Sequence, residues 1–244
     1  MAIDYDHSHN LHYLPGPRTA FPLIFAGGKP QSLLDVGCGI GIWLKVALEN
    51  GVMDISGVDG VDIKPNQLLI PPSAFRQQDL TQIWNLGRRF DAAFCLEVAE
   101  HLDERYASRL IDCLVAHSDH IIFGAACPGQ TGQHHVNCQW PAYWQQLFNE
   151  RGYVCSDEIR WKMWSNEQIE PWYRQNIFVA RRDPPAAGKE PRIVPVLHPA
   201  IVKLMLREEF PRNLETIGQG ELPFAWYWQT MRNVFWKKLK GKFN

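Results

Sequence analysis

The stretch LLDVGCGIG, residues 33–41, decides the fold of this chain. It lies between an apolar run that predicts a strand over Ser32–Val36 and a helix-period segment that predicts a helix over Ile42–Asn50. The glycines of this loop permit a tight turn in which a ligand meets bare backbone at a helix N-terminus. Their spacing is G-x-G-x-G and differs from the G-x-G-x-x-G of the dinucleotide fingerprint. The acid Asp35 would repel a pyrophosphate, so the loop favours a ligand that carries positive charge.

Beyond this loop, apolar β-type runs alternate with segments of helical period. That alternation is typical of a mostly parallel sheet with helices on both faces, an α/β fold. Apolar side chains at helical spacing predict one helix over 103–117, and a second begins at Pro141 and ends near Gly152. The remaining predicted strands are Asp54–Asp59, Phe75–Leu80, Phe90–Leu96, His120–Ala125, Tyr153–Ser156 and Asn176–Ala180.

Two further acids stand where predicted strands end. Asp59 closes the second strand, 24 residues after Asp35, and Asp79 lies at the end of the third. The carboxyl ends of parallel strands share one edge of the sheet, so the three acids are expected to line one crevice. There Asp59 can accept hydrogen bonds from ribose hydroxyls and Asp79 can accept one from an adenine amino group. The alternative is that they are ordinary turn aspartates.

These residues resemble the class I S-adenosylmethionine-dependent methyltransferases over roughly residues 30–181. The resemblance rests on LLDVGCGIG (33–41), ISGVDG (55–60), QQDL (77–80) and FDAAFCLEVAEHL (90–102). It implies a Rossmann-like fold whose seven-stranded sheet has the order 3-2-1-4-5-7-6, with strand 7 antiparallel, and S-adenosylmethionine as the cofactor. It also implies the cofactor contacts: Gly37, Cys38 and Gly39 with the amino-acid portion, Asp59 with the ribose, Asp79 and Leu80 with the adenine, and Leu96 and Glu97 beside the sulfonium. Asp35, Gly41 and Gly60 complete the predicted cofactor-binding set.

A narrower resemblance concerns the acceptor. Residues 10–28, 67–80 and 132–144 are similar to bacterial methyltransferases that occur with polysaccharide and natural-product biosynthesis genes, which implies a small-molecule or glycan acceptor. The amine-methylating signature N/D-P-P-Y/F/W is replaced after the fourth strand by Leu96-Glu97-Val98-Ala99. Its replacement weighs against a nucleic-acid base as acceptor.

The candidate catalytic residues are His134 and His135. Both lie in the loop Cys127–Gln139 after the fifth strand, which is expected to overhang the cofactor's methyl group. A neutral imidazole can take a proton from a hydroxyl as the methyl arrives. The alternative role for either histidine is to order the loop by hydrogen bonding to the backbone.

Two metal sites can be considered from the sequence. Glu97, Glu100 and His101 match the motif with which ubiquinone-pathway O-methyltransferases hold a divalent cation, although E-x-x-E-H-L is widespread in this superfamily without a metal. His7, His9 and His12 could bind zinc, but no closed ligand set is apparent. We therefore expect no metal, and we expect the N-terminal segment to fold over the cofactor with Asn10 and His12 near the pocket.

Composition divides the chain further. We predict an N-terminal arm over 1–30 without regular structure, a methyltransferase domain over 31–182, a linker over 183–192 (DPPAAGKEPR) and a helical extension over 193–244. Six scattered cysteines and an N-terminus without a signal-peptide pattern predict a cytoplasmic protein.

Charge is balanced only over the whole chain. With 25 basic and 26 acidic residues the formal net charge is -1, which weighs against a nucleic-acid binder. From Phe224 to the end, however, there are five basic residues and no acidic ones. This tail is expected to form a helix that docks on the core or on a second subunit, and the alternative is contact with an anionic membrane surface. Its apolar stripe consists of Phe224, Trp228, Met231, Phe235 and Leu239.

The sequence thus predicts an S-adenosylmethionine-dependent methyltransferase that acts on a hydroxyl of a small molecule or glycan precursor. Two alternatives stay open: methylation of a small-molecule amine, and a catalytically silent cofactor-binding subunit.

Overall fold

A computed structural model describes residues 14–221 and 223–240 of the chain. The sequence-based expectations for His7, His9, Asn10 and His12 therefore concern residues outside the described ranges.

One seven-stranded sheet organises the fold. Its strand order is β3-β2-β1-β4-β5-β7-β6, as the resemblance implied. Strands β1 to β5 pair in parallel, whereas β7 runs antiparallel to both β5 and β6. The sheet confirms the predicted Rossmann-like class I fold. The strands are β1 (Ser32–Val36), β2 (Asp54–Asp59), β3 (Phe75–Gln77), β4 (Ala92–Leu96), β5 (His120–Gly124), β6 (Tyr153–Ser156) and β7 (Phe178–Arg182).

Eight α-helices accompany the sheet in the described residues. They are α1 (Pro15–Ile24), α2 (Ile42–Glu49), α3 (Ala107–His117), α4 (Pro141–Asn149), α5 (Glu158–Met163), α6 (Pro171–Asn176), α7 (Pro199–Gln219) and α8 (Phe224–Lys240). Short 3-10 turns lie at Pro65–Gln67, Pro72–Ala74, Ala99–His101 and Glu104–Tyr106.

The structure shortens or shifts several predicted elements. The third strand ends at Gln77 because Asp79 closes a turn, its carboxylate accepting a hydrogen bond from the Thr81 N–H at 2.9 Å. The seventh strand begins at Phe178 because Asn176 is still the last residue of α6. The fourth strand begins at Ala92, the fifth ends at Gly124, and the helix predicted over 103–117 starts with the 3-10 turn Glu104–Tyr106.

The expectation that residues 1–30 lack regular structure is wrong for α1. Both of its first prolines fall in the first turn, where a missing N–H costs no helical hydrogen bond. Phe21 is 1% exposed, and its ring lies edge-on to that of Phe94 in the central strand β4, with centroids 6.3 Å apart. Arg18 donates two hydrogen bonds of 2.8 Å to Glu49 at the end of α2. Burial of its apolar face therefore makes α1 part of the core.

Two apolar clusters cover the two faces of the sheet. Alternation along β4 explains the division, since Phe94 faces one cluster and Cys95 the other. The first cluster includes Leu114 of α3 and Trp144 of α4, and the second packs α1, α2 and α5 against the sheet. The carboxyl ends of β1, β4 and β5 are thereby held side by side, since β4 lies between the other two.

The chain divides into two compact units, one ending at Ile201 and the other beginning at Val202. Residues 183–192, predicted as a linker, lie in the first unit. There the Glu190 carboxylate accepts hydrogen bonds from the Asn149 side chain at 2.6 Å and the Cys155 N–H at 3.0 Å.

In the second unit, α8 exposes four members of the predicted apolar stripe, and the side chain of Leu239 lies outside the described residues. Those four are Phe224, Trp228, Met231 and Phe235. Within the described residues, no helix is both long and apolar enough to cross a membrane.

Candidate active site

The glycine loop after β1 has the backbone that its sequence requires. Gly37, Gly39 and Gly41 have φ angles of 76°, 51° and 88°, a region that side chains disfavour. Packing adds a second constraint, because a Cβ on Gly37 would lie 2.2 Å from the Val98 side chain. The Gly37 N–H donates to the Val58 carbonyl at 2.7 Å, which fixes the loop to β2.

Asp59 lies where the sequence predicted it, beside this loop. It is 5% exposed, and its two carboxylate oxygens accept hydrogen bonds from the Gly39 N–H at 2.8 Å and the Val61 N–H at 2.9 Å. The carboxylate therefore ties the turn after β1 to the turn after β2. A carboxylate at the end of this strand is the group that accepts hydrogen bonds from ribose hydroxyls in dinucleotide folds.

Asp35 is the buried acid of the loop. It is 3% exposed, and its Oδ2 atom has no hydrogen-bond partner among the described residues. Burial, and then the nearby charge of Asp59, raise the pKa of Asp35 to about 8. A cationic group entering this site would favour the ionised form, so the acid is arranged to respond to a positive ligand.

The third acid, Asp79, differs from Asp35 and Asp59 because its carboxylate bonds within its own turn. Its exposed carboxylate accepts hydrogen bonds from the hydroxyl and N–H of Thr81 at 2.6 and 2.9 Å, and the hydroxyl bond is the main reason that its pKa is lowered. Leu80 is buried. The Gln78 N–H donates to the Asp59 carbonyl at 2.7 Å, which brings this turn against the end of β2. A Cβ on Gly60 would meet only the Gln78 carbonyl, at 3.9 Å, so the backbone between the two turns is open.

Cys38 can offer a cofactor its backbone groups, because its side chain packs inward. Its sulfur lies 2.7 Å from the position a Cβ would take on Gly57, and the residue is 7% exposed. The thiol therefore packs against β2, and it also donates a hydrogen bond to the Gly39 carbonyl at 3.4 Å.

Glu97 is held by two residues that the sequence did not single out. Its carboxylate accepts hydrogen bonds from the Asn176 side chain at 2.9 Å and the Gln130 side chain at 3.0 Å, and these two amides also bond to each other at 3.0 Å. Burial raises the pKa of Glu97 to about 7. A positive φ of 56° at a non-glycine residue directly after buried Leu96 marks a backbone held for a purpose other than stability.

The two histidines that are candidates for the general base occupy different environments. His134 is exposed and has a φ of 54°, whereas His135 is half-buried, with its Nδ1 2.9 Å from the Gln130 carbonyl. The His135 ring lies 5.0 Å from that of His101, centroid to centroid. Burial lowers the pKa of His101 to about 4.

Glu100, His101 and His135 form a compact group. One possible ligand atom from each lies within 4.8 Å of the others, and Glu100 is fully buried. This set differs from the one considered from the sequence, because His135 takes the place of Glu97, whose oxygens bond to amides. The N–H groups of Val136 and Asn137 donate to the Glu100 carbonyl at 2.9 and 3.0 Å, which fixes the loop Cys127–Gln139, the histidine loop, to the 3-10 turn after β4.

Comparison with known proteins supports the class that this geometry indicates. A family model described as a methyltransferase domain matches residues 7–172. The methyltransferase domain of the bacterial protein CtHen1-C has a TM-score of 0.52 and 16% identity, covering 69% of this chain and 99% of that one. Magnesium protoporphyrin IX methyltransferase from Synechocystis PCC 6803, with bound S-adenosylhomocysteine, has a TM-score of 0.51 and 19% identity, covering 74% and 91%. No curated protein matches the chain significantly.

The chain belongs to the methyltransferase domain family, since the model covers more than half of it. At these identities the solved structures show the fold alone. Fold and family together define a class I, S-adenosylmethionine-dependent methyltransferase domain.

Replacing Gly37 by alanine tests the glycine loop. The positive φ costs about 1–2 kcal/mol and overpacking against Val98 about 1–3 kcal/mol, so the free energy of unfolding should fall by about 2–5 kcal/mol. Denaturant unfolding measures the change.

Gly27→Ala is the matched control, because a Cβ there meets no described atom within 4 Å and its φ is ordinary. Its stability should change by less than about 1 kcal/mol. Equal stability of the Gly37 and Gly27 variants would contradict the assigned loop geometry.

Proposed function

We propose that the chain transfers a methyl group from S-adenosylmethionine to a hydroxyl of a small molecule or glycan precursor. One observation carries the proposal: two chemically different groups meet at the carboxyl edge of adjacent strands. The glycine loop follows β1, between Asp35 in β1 and Asp59 at the end of β2, and the group around Glu97, Glu100 and His135 follows β4 and β5.

The residues after β1 and β2 suit the cofactor. Asp35 offers a buried carboxyl oxygen without a hydrogen-bond partner in the described chain, which fits a ligand with positive charge. Asp59 offers carboxylate oxygens, which accept hydrogen bonds from ribose hydroxyls in related folds, beside the backbone of Gly39. We assign the adenine to the turn at Asp79 and Leu80, which lies beside the end of β2 and next to the open backbone of Gly60.

The chemistry that the cofactor supplies is an electrophilic methyl group: a lone pair of the acceptor oxygen forms the new C–O bond while the C–S bond breaks and its electrons stay on sulfur. The chain has to align the acceptor and to take up the hydroxyl proton. Alignment can contribute about 7–11 kcal/mol, whereas a general base contributes about 3–5.5 kcal/mol. Fixed positions for the two partners are therefore the larger requirement.

His135 is the better placed of the two candidate bases. It is half-buried and lies next to Glu100 and His101, whereas His134 is exposed. If Nδ1 donates its proton to the Gln130 carbonyl, Nε2 is the ring atom that would accept the hydroxyl proton. This arrangement supports a hydroxyl acceptor, since a neutral amine needs no proton removed before it attacks.

The insertion between β6 and β7 supports a ring-shaped acceptor. Both strands are antiparallel neighbours, and β6 runs parallel to β5, so residues 157–177 leave and re-enter the sheet at the carboxyl edge. Within this insertion, Trp161 is 49% exposed, and its ring lies 5.1 Å from that of Trp164. Flat aromatic faces pack well on sugars and on aromatic ligands.

The acceptor class is tested by methyl transfer from isotopically labelled S-adenosylmethionine to paired acceptors. Each pair consists of a sugar or phenol and its amino analogue, with the amine in place of the hydroxyl. We expect label in the hydroxyl compounds, with mass-spectrometric fragments that place the methyl on oxygen. Label confined to the amines would contradict the assignment and establish N-methylation.

Cofactor binding should release a proton from Asp35. At pH 7 a carboxyl with a pKa of about 8 is largely protonated, and a cationic ligand favours its ionised form. Calorimetry in buffers of different ionisation enthalpy should show close to one proton released per cofactor bound. Asp35→Asn should abolish most of that release, and equal release in both proteins would contradict the role.

The same raised pKa fixes the sign of a stability change. The unfolded carboxyl loses its proton near pH 4, whereas the folded one keeps it until about pH 8. This acid therefore makes the cofactor-free protein less stable as the pH rises from about 4 to 8, and Asp35→Asn should weaken that dependence.

A further inference from the structure

Large apolar side chains lie exposed along one stripe of α8, in the second unit. Phe224 is 79% exposed, and Trp228 and Met231 are each 58% exposed. At about 100° per residue, the three positions fall within about 60° of one another around the helix axis. An apolar surface of this kind in water marks an interaction site, so the stripe is expected to have a binding partner.

The charge of the segment that carries this stripe is of one sign. From Phe224 to the end of the sequence there are five basic residues, whereas the rest of the chain holds all 26 acidic residues. Arg232 is exposed and lies beside the stripe, about 40° from Trp228 around the helix axis. Concentrated positive charge attracts an anionic partner, so charge complementarity selects among the possible partners of α8.

The residue types of the segment favour a lipid surface over a protein. Six of the 17 residues of α8 are aromatic, and three of the six are tryptophans. Lysine supplies four of the five positive charges: Lys237, Lys238, Lys240 and Lys242. Protein interfaces are depleted in lysine, whereas helices that lie in a membrane interface combine lysine with tryptophan and phenylalanine. A second copy of the helix would also bring like charges together, which weighs against self-association through α8.

We propose that α8 binds an anionic membrane surface, the alternative that the sequence left open. Phe224, Trp228 and Met231 enter the boundary between headgroups and acyl chains, and the basic residues lie among the lipid phosphates. The aliphatic part of Arg232 covers apolar surface while its guanidinium reaches the phosphates. This binding does not rest on the proposed function, since it uses no residue of the methyl-transfer site.

The start of α8 is held within its own unit. The Tyr227 hydroxyl donates a hydrogen bond of 2.9 Å to the Ile217 carbonyl near the end of α7. The ring of Trp226 lies edge-on to that of Tyr227, with centroids 5.2 Å apart. These contacts order the first turn of the helix before it meets a surface, and a segment ordered in advance loses less entropy when it binds.

Vesicle flotation of the full chain tests the membrane surface. One set of vesicles is pure phosphatidylcholine, and the other contains equal parts of phosphatidylcholine and phosphatidylglycerol. We expect the chain to bind the anionic vesicles at least about tenfold more tightly than the neutral ones, and less tightly at high salt. The double variant Trp228→Gln, Met231→Gln should weaken binding to anionic vesicles at least about tenfold, because two apolar side chains no longer enter the lipid.

Trp226→Gln is the matched control, because the same indole is replaced about 160° from Trp228 around the helix axis. This variant should bind as the unchanged chain does. The double variant Lys237→Gln, Lys238→Gln tests the charge separately and should lower the preference for anionic vesicles about tenfold. Glutamine is a good helix former, so α8 should persist in every variant, and far-ultraviolet circular dichroism checks this.

Three results would overturn the membrane surface: no flotation of the unchanged chain, equal affinity for neutral and anionic vesicles, or unchanged affinity in the folded Trp228, Met231 double variant. Sedimentation velocity without lipid examines the other partner. A dimer that this double variant abolishes would assign the stripe to a second copy of the chain instead. None of these measurements uses S-adenosylmethionine or an acceptor, so failure of the membrane proposal leaves the proposed function unaffected, and the reverse also holds.

Discussion

The buried carboxylate of Asp59 is the interaction on which the functional edge depends. By accepting hydrogen bonds from the Gly39 and Val61 N–H groups, it joins the turns that follow β1 and β2. The positive φ angles of the glycine loop are held by this bond and by packing against Val98. Burial, and then the negative charge of Asp59, raise the pKa of nearby Asp35. Asp59 thus contributes to both the geometry and the electrostatics of the cofactor region, and a loop shaped in advance loses less entropy when it binds.

A second network of hydrogen bonds holds the loops on the acceptor side of the site together, as Asp59 holds the turns on the cofactor side. Glu97, Gln130 and Asn176 come from three separate segments, after β4, after β5 and before β7, and their side chains bond to one another. The histidine loop is joined to the same region through the Glu100 carbonyl. The chemistry proposed for this edge therefore rests on loops fixed by hydrogen bonds to a rigid sheet, which is where α/β folds place their ligands.

The sequence predicts the buried strands of this fold well, and it predicts poorly the elements whose structure depends on contacts between distant residues. The strands β1, β2 and β6 match their predicted bounds, because a buried strand has an apolar pattern that is local in sequence. Short helices α5 and α6, six residues each, have too few turns to show a period, and tertiary packing stabilises them. Asp35 and Asp59 were predicted beside the glycine loop and lie there, whereas Asp79 closes its own turn with Thr81, which is the turn-aspartate alternative that the sequence left open. That His135 meets Glu100 and His101 depends on how the loop after β5 folds back, which no local pattern encodes.

Calorimetric titration with S-adenosylmethionine measures whether the loop held by Asp59 binds this cofactor. The unchanged chain should bind one molecule. Asp59→Asn removes a charged acceptor worth about 1.5–3 kcal/mol, so its affinity should fall roughly 10- to 150-fold. Asp54→Asn, at the exposed opposite end of β2 where Asp54 pairs with Arg88, should bind as the unchanged chain does. Absence of binding by the unchanged chain, or equal affinity in the folded Asp59 variant, would contradict the account.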